Sequence, residues 1–109
     1  MNTISPANST LWWLYFLRCR NGLIYTGISP DPARRFLQHQ HGRSQYTRRH
    51  RPLELIGAFP VGSQKEALRE ERLVKRMLHA EKLALASISR SQPSWTMFGD
   101  FKKTTLEHE

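Results

Sequence analysis

The segment YTGISPDPARRFLQH, residues 25 to 39, combines the end of a strand, a tight turn and the start of a helix. Within that helix, Arg35 and His39 are four residues apart and therefore share a face. Tyr25 and Gly27 come just before the turn, near the point where that face begins. Arginine and histidine beside a tyrosine suit an anionic ligand, so the segment predicts an anion-binding site where strand and helix meet.

The helix in this segment has sequence signals at both ends. Asp31 is a favourable N-cap, and Pro32 is a favourable first helical residue. The helix is predicted to run from about Pro32 to His41 and to stop at Gly42, because glycine adopts the left-handed conformation that ends many helices. Two apolar side chains are expected to pack down onto the protein, Phe36 and Leu37.

A β-hairpin is predicted upstream, with strands over about Leu11 to Cys19 and Leu23 to Ile28. Its turn, RNG, allows a three-residue loop with Gly22 in the left-handed conformation, or a two-residue turn made of NG alone. With three loop residues, Tyr15 and Tyr25 lie diagonally on one face of the sheet; with two, they lie on opposite faces. The sequence leaves both registers open.

Downstream, a third strand is predicted over about Leu53 to Phe59. Ser63 and Glu66 form a capping box, which predicts a helix from Ser63 to about Leu78. A further helix is expected over about Ala80 to Ser87. Three strands and several helices predict an α+β fold with a small antiparallel sheet.

The chain has 109 residues, which fits one small domain. We expect a flexible tail over residues 1–10, a folded domain over 11–87 and an extension or tail over 88–109. The first ten residues are polar, no apolar run approaches the roughly 18 residues of a membrane span, and Cys19 has no partner for an internal disulfide. These features predict a cytoplasmic protein.

The net charge of +8 favours a polyanionic partner. Between residues 33 and 53 the sequence has three histidines, no acid and six arginines: Arg34, Arg35, Arg43, Arg48, Arg49 and Arg51. The planar fork of arginine suits phosphate oxygens. The segment therefore predicts a nucleic-acid-binding surface.

Glu71 lies on the apolar stripe of the second helix, four residues after Ala67 and three before Val74. A carboxylate on a buried face is costly unless it is paired or binds a cation. The alternatives are a buried ion pair with an arginine and a metal ligand. Lys75, one turn later, is expected either to touch a phosphate or to pair with Glu71.

The order and spacing of three sequence blocks resemble the GIY-YIG nuclease superfamily, in particular its small bacterial members of the YhbQ type. The blocks read WLYFLRC…NGLIYTG, DPARRFLQH and EALREERLVKR, with GRSQYTR between them, and the agreement covers about residues 12 to 86. The resemblance implies a three-stranded antiparallel sheet flanked by helices and phosphodiester cleavage with one divalent metal ion. By position it also implies the catalytic residues Tyr15, Tyr25, Arg35, His39 and Glu71, with Glu71 as the metal ligand.

These residues suit phosphodiester hydrolysis. Glu71 is expected to hold Mg²⁺ or Mn²⁺, and Arg35 to bind the developing charge on the phosphate. Tyr15 is the expected general base or nucleophile, with Tyr25 able to share the role and His39 relaying a proton. The expected nucleic-acid contacts are Gly27, which leaves room for the substrate, together with Arg34, Arg43, Tyr46, Arg48, Arg49, Arg51 and Lys75.

The prediction is a metal-dependent endonuclease that cuts DNA, in repair or processing. Many family members carry an asparagine after the metal-binding glutamate, whereas this chain has none after Asn21. The alternatives are therefore a basic nucleic-acid-binding module with little turnover and a catalytic subunit that needs a protein partner.

Overall fold

Three antiparallel strands form the sheet at the centre of the computed structural model, which describes residues 10–42 and 49–98. The strands are β1 (Trp12–Cys19), β2 (Ile24–Ser29) and β3 (Pro52–Gly62), in the order β2-β1-β3. Both β2 and β3 pair with β1, which carries the bulkiest apolar run of the sequence and is the buried central strand. The predicted α+β fold with a small antiparallel sheet is confirmed.

The hairpin adopts the three-residue loop. Gly22 has φ +86°, and the Cys19 N–H donates to the Leu23 carbonyl at 2.9 Å. In this register Tyr15 lies opposite Gly27 and Leu17 lies opposite Tyr25. Because residues two apart on a strand point to the same side, both tyrosines project from one face of the sheet.

The helices are α1 (Pro32–Gln40), α2 (Gln64–Lys75) and α3 (His79–Arg90), followed by a 3₁₀ helix (Pro93–Phe98). Both predicted N-caps are confirmed: Asp31 accepts from the Arg34 N–H at 3.1 Å, and Ser63 forms the capping box that starts α2. Within the described residues, no helix has the length and apolar character that crossing a membrane requires.

Three details differ from the sequence-based expectations. The third strand is longer than predicted and continues to Gly62. The second helix ends at Lys75 rather than at about Leu78, and Leu78 is 71% exposed at the start of α3. Leu37 is also exposed, whereas its neighbour Phe36 is buried as predicted.

The two faces of the sheet carry separate cores. On one face, which we call the tyrosine face, α1 and the 3₁₀ helix cover a cluster of mainly aromatic side chains: Trp13, Tyr15, Leu17, Phe36, Leu55, Ala58, Trp95 and Phe98. On the other, the aliphatic face, α2 and α3 cover a smaller-residue cluster: Leu14, Phe16, Ile24, Ile56, Val74 and Ala86. Alternation along β1 sends successive side chains to opposite cores.

The last residues that the structure describes belong to the core of the tyrosine face. The boundary expected at residue 87 falls inside α3, which continues to Arg90. Trp95 and Phe98 then return to the tyrosine face, where the Phe98 ring meets Trp13 edge-on with 5.3 Å between ring centroids. Residues 93–98 therefore complete the core rather than extend away from it.

Candidate active site

A hydrogen-bonded pair of buried rings lies at the centre of the tyrosine face. Tyr15 projects from β1 and His39 from α1, with 2.8 Å between Tyr15 Oη and His39 Nε2. Tyr15 is 1% exposed and His39 is 0% exposed. Because a buried polar group without a partner is costly, this bond compensates both side chains at once.

Tyr25, from β2, completes the ring cluster. Its ring meets His39 edge-on at 4.8 Å between centroids and lies 6.3 Å from the Tyr15 ring. Unlike the other two rings, Tyr25 is only partly buried. It is therefore the part of the ring cluster that surface ligands can contact.

Arg35, one turn before His39 on α1, lies near the Tyr15 hydroxyl, and its charge acts to lower the pKa of Tyr15. Its Nη1 donates to Gln38 Oε1 at 2.9 Å. Arginine can only donate, so toward Arg35 the Tyr15 oxygen is an acceptor. The hydroxyl proton of Tyr15 can then be donated to Nε2 of His39.

The environment keeps this pair neutral in the free protein. Burial raises the pKa of Tyr15 well above its ordinary value; the nearby Tyr25 and Glu71 raise it further, and Arg35 opposes them only in part. Burial and then the Arg35 charge lower the pKa of His39 to about 4. In the free protein these surroundings together disfavour loss of the Tyr15 proton, although Arg35 by itself favours it.

Glu71 lies on α2, and its negative charge contributes to the raised pKa of the Tyr15 hydroxyl. Its side chain is 17% exposed, and Oε2 lies 3.3 Å from Lys75 Nζ. Lys75 was expected either to touch a phosphate or to pair with Glu71, and in the structure it pairs with Glu71. The ion partner of Glu71 is therefore this lysine and not an arginine.

The donors at Glu71 fit a hard divalent cation. In residues 10–42 and 49–98, no three histidine, cysteine or acidic side chains come together as a metal cluster. Mg²⁺ commonly binds through one or two carboxylates and completes its shell with waters and substrate phosphates. A single, partly exposed carboxylate is therefore compatible with such an ion.

Gly27 has a different role from the one expected. A Cβ atom at this position would lie 2.6 Å from Tyr15 Oη and 2.7 Å from Tyr15 Cζ. The space that glycine leaves is therefore filled by the buried tyrosine and not kept open for substrate. Gly27 positions the Tyr15 ring.

The predicted basic residues are not all at the ring cluster. Arg34 is exposed on α1, whereas Arg49 and Arg51 are exposed beside the β1–β2 turn. Three other predicted contacts lie outside the described residues: Arg43, Tyr46 and Arg48. Sequence reasoning missed Gln38, which holds Arg35; its spacing of three residues from Arg35 was the available signal.

Comparison with known proteins assigns the family. The GIY-YIG catalytic domain profile matches residues 11–84, more than half of the chain. A UPF0213 protein of Cupriavidus pinatubonensis is 48% identical over 77 residues, covering 70% of this chain and 86% of the relative. A UPF0213 protein of Cronobacter sakazakii is 42% identical over 77 residues, covering 70% of this chain and 81% of the relative.

Among solved structures, the solution NMR structure of a UPF0213 protein from Bacillus halodurans is 30% identical and covers 84% of this chain and 99% of that chain, with a TM-score of 0.47. The UPF0213 names state no activity. The profile match and the two curated relatives nevertheless agree on one assignment. This chain belongs to the GIY-YIG catalytic domain family, a family of nucleases, and is similar to its small bacterial UPF0213 proteins.

Proposed function

We propose that the protein is a metal-dependent endonuclease that hydrolyses phosphodiester bonds in DNA, in repair or processing. The observation that carries the proposal is the connected set Arg35, Tyr15 and His39, in which an arginine donor, a hydroxyl and a neutral imidazole follow one another. Phosphoryl chemistry requires a cation for the phosphate and a base for the attacking group. This set supplies both within one cluster.

Substrate binding activates the base in this proposal. The positive charge of Arg35 contributes to the low pKa of His39, after the larger effect of burial. A phosphate bound to Arg35 offsets that charge, so the pKa of His39 rises when substrate is present. His39 then becomes a better acceptor for the proton of Tyr15, and the phenolate in turn accepts a proton from the attacking water.

Tyr25 and Glu71 act at the exposed side of the cluster. Tyr25 is only partly buried, so its hydroxyl can contact the substrate and share the proton transfer proposed for Tyr15. Glu71 would hold Mg²⁺ or Mn²⁺, which supplies Lewis-acid stabilisation of the phosphate and the leaving oxygen. In the free protein the Glu71 carboxylate is paired with Lys75, whose charge competes with the cation.

The test is a cleavage assay on labelled single-stranded, duplex, flap and four-way DNA and on one RNA, with Mg²⁺, with Mn²⁺ and with EDTA. We expect metal-dependent cutting that falls at least 100-fold in Arg35→Ala and Glu71→Gln, since a positioned charge contributes roughly that much. Glu70→Gln is the matched control, because Glu70 is exposed on the same helix. Full activity in Glu71→Gln would refute the proposed metal ligand, and cutting of RNA alone would refute the DNA assignment.

A second candidate is a nucleic-acid-binding module with little turnover, alone or until a protein partner opens the site. Its support is the burial of Tyr15 and His39, together with the raised pKa of Tyr15, which make the free protein a poor base. The same assay separates the two candidates. Binding of DNA without product in either metal favours the module, and product on addition of a partner favours the dependent subunit.

A further inference from the structure

A second group of cations lies away from the ring cluster, at the end of the sheet that carries the β1–β2 turn. We call it the turn-end cluster and define it by three exposed arginines: Arg20, Arg49 and Arg51. Arg20 follows β1 directly, whereas Arg49 and Arg51 immediately precede β3. The antiparallel pairing of these strands brings the two short segments together.

Two hydrogen bonds fix the segments to each other. The Arg20 N–H donates to the Arg51 carbonyl at 2.8 Å, and Asn21 Nδ2 lies 2.7 Å from His50 Nδ1. Asn21 Oδ1 accepts from the Leu23 N–H at 3.1 Å, which orients the amide so that Nδ2 faces His50 and donates. The turn and residues 49–51 are therefore held side by side, so the three exposed arginines extend from adjacent backbone segments.

The charge of this surface is not compensated by nearby acids in the sequence. Residues 18–23 and 43–53 contain no aspartate or glutamate. The first acid that follows, Glu54, pairs with Arg18 at 3.1 Å. Arg18 and Leu17 are neighbours on β1, so their side chains point to opposite faces of the sheet. Because Leu17 belongs to the tyrosine face, the Arg18–Glu54 ion pair lies on the aliphatic face. Among the residues that the structure describes, the three guanidinium groups of the turn-end cluster form no ion pair.

The cluster lies further along the sheet than the candidate active site, beyond the end of β1. Tyr25 pairs with Leu17, and Arg20 comes three residues after Leu17, at the start of the turn. Three residues of strand correspond to about 10 Å. A nucleic-acid strand carries one phosphate per ~3.4 Å of duplex axis, so this separation corresponds to about three nucleotides.

We propose that the turn-end cluster binds the sugar–phosphate backbone of the nucleic-acid substrate about three nucleotides from the bond at the ring cluster. This inference rests on the proposed function, because it extends the path of the same substrate. The guanidinium fork suits phosphate oxygens, and residues 18–23 and 49–51 contain no phenylalanine, tyrosine or tryptophan. We assign the contacts to phosphates, which hold the strand in register without reading its sequence.

The test compares charge-matched double variants by fluorescence anisotropy in EDTA, with a labelled 20-base-pair duplex and the matching single strand, each in two unrelated sequences, from 50 to 200 mM salt. Arg20→Ala with Arg51→Ala removes two side chains but leaves the backbone bond between them intact. Lys65→Ala with Arg69→Ala is the control, because both residues are exposed on α2 and Arg69 lies near Pro60 and Val61, at the opposite end of the sheet.

We expect the Arg20 and Arg51 double variant to bind about tenfold more weakly at 50 mM salt, with a salt slope shallower by about two. The control should stay within about twofold of the wild type. Replacing Arg20 and Arg51 with lysine keeps the charge and should preserve the salt slope. Thermal unfolding of each variant, followed by circular dichroism, verifies that it is folded.

Equal losses in the two alanine double variants, or no loss in either, would overturn the turn-end cluster as a binding site. Wild-type binding that depends on the cluster, with no cleavage in Mg²⁺ or Mn²⁺, would refute the proposed nuclease and keep the cluster. Failure of the wild type to bind both probes would refute both proposals.

Discussion

The two faces of the sheet differ in what they bury. The tyrosine face combines an aromatic core with a buried hydrogen bond between Tyr15 and His39. The aliphatic face is covered by α2 and α3 and has a core of apolar side chains. Thr26 also projects into this core, because it pairs with Phe16 of β1. The buried rings of the candidate site therefore share a face with the aromatic core, whereas the other face is mainly an apolar core whose helix α2 carries Glu71. Variants on each face test this difference.

The largest expected effect is at the aromatic end of the tyrosine face. Phe98→Ala removes a ring that is 3% exposed and packs against Trp13 and Trp95. We expect the free energy of unfolding to fall by about 3–5 kcal/mol, measured by urea denaturation. Met97→Ala is the control, since Met97 is 66% exposed and should change stability by less than about 0.5 kcal/mol. If Phe98→Ala and Met97→Ala lowered the free energy of unfolding by similarly small amounts, residues 93–98 would not complete the core.

A glycine on each face allows a direct comparison. A Cβ on Gly27 would meet the far end of Tyr15, whereas a Cβ on Gly57 would lie 2.8 Å from Ala86 Cα in the backbone of α3. We expect Gly27→Ala and Gly57→Ala each to cost about 1–3 kcal/mol in urea denaturation.

The two costs should respond differently to a second change. Tyr15→Leu removes the two nearest atoms that a Cβ on Gly27 would meet and leaves Tyr25 Cε2 at 3.0 Å, so most of the cost of Gly27→Ala should disappear in that background. Ser89→Ala leaves the α3 backbone in place, so it should not rescue Gly57→Ala. The packing described would be contradicted if Ser89→Ala restored the stability lost in Gly57→Ala while Tyr15→Leu did not reduce the cost of Gly27→Ala.

The buried imidazole predicts a pH dependence of stability. The pKa of His39 falls from 6.5 to about 4 on folding, so between those values the unfolded chain binds a proton that the folded chain does not. This contribution is fully present above pH 6.5 and is lost as the pH falls toward 4, by about 2 kcal/mol between pH 7 and pH 5.

His39→Gln isolates this contribution, because glutamine can accept from Tyr15 but does not titrate. We expect the urea-unfolding free energy of the wild type to fall more steeply than that of His39→Gln between pH 7 and pH 5. Parallel pH profiles would show that folding does not lower the pKa of the imidazole.

A smaller effect, of opposite sign, is expected from Thr26→Val. Among the described residues, Thr26 Oγ1 is the buried side-chain oxygen without a hydrogen-bond partner. Replacing the hydroxyl with a methyl group should leave stability unchanged or raise it by up to about 1 kcal/mol in thermal and urea denaturation. The comparison is Ser29→Ala, which should destabilise because Ser29 Oγ accepts from the Asp31 N–H at 2.9 Å. A clear loss in Thr26→Val would indicate a bound partner at that hydroxyl.

The smallest expected change in stability is at Lys75. Its pair with Glu71 is spaced four residues apart on α2 and is half exposed on the lysine side, so Lys75→Ala should cost less than about 0.5 kcal/mol. If Glu71 holds the cation, removing a competing positive charge should lower the Mg²⁺ concentration for half-maximal cleavage. Lys65→Ala is the control, and a higher Mg²⁺ requirement in Lys75→Ala would contradict this role of Glu71.

Local signals predicted much of the fold because they depend on only a few neighbouring residues. The N-caps at Asp31 and Ser63 and the α+β class were correctly predicted. The hairpin register was not decided, since both turns satisfy the local pattern and only pairing along the whole of β1 selects one. The end of the second helix was placed too late, and the burial of Trp95 and Phe98 was not predicted, because both depend on long-range packing.

At the candidate site, the sequence alone determined which residue types are present, the spacing that places Arg35 and His39 on one helix face, and the basic character of the chain. Only the tertiary structure decided that Tyr15 and His39 are buried together, that Gly27 makes room for a tyrosine, and that the pKa of His39 is lowered. It also decided that Arg20 joins Arg49 and Arg51. The physical reason is that spacing along an element is local, whereas desolvation, hydrogen bonding and charge proximity depend on elements that meet only in the folded chain.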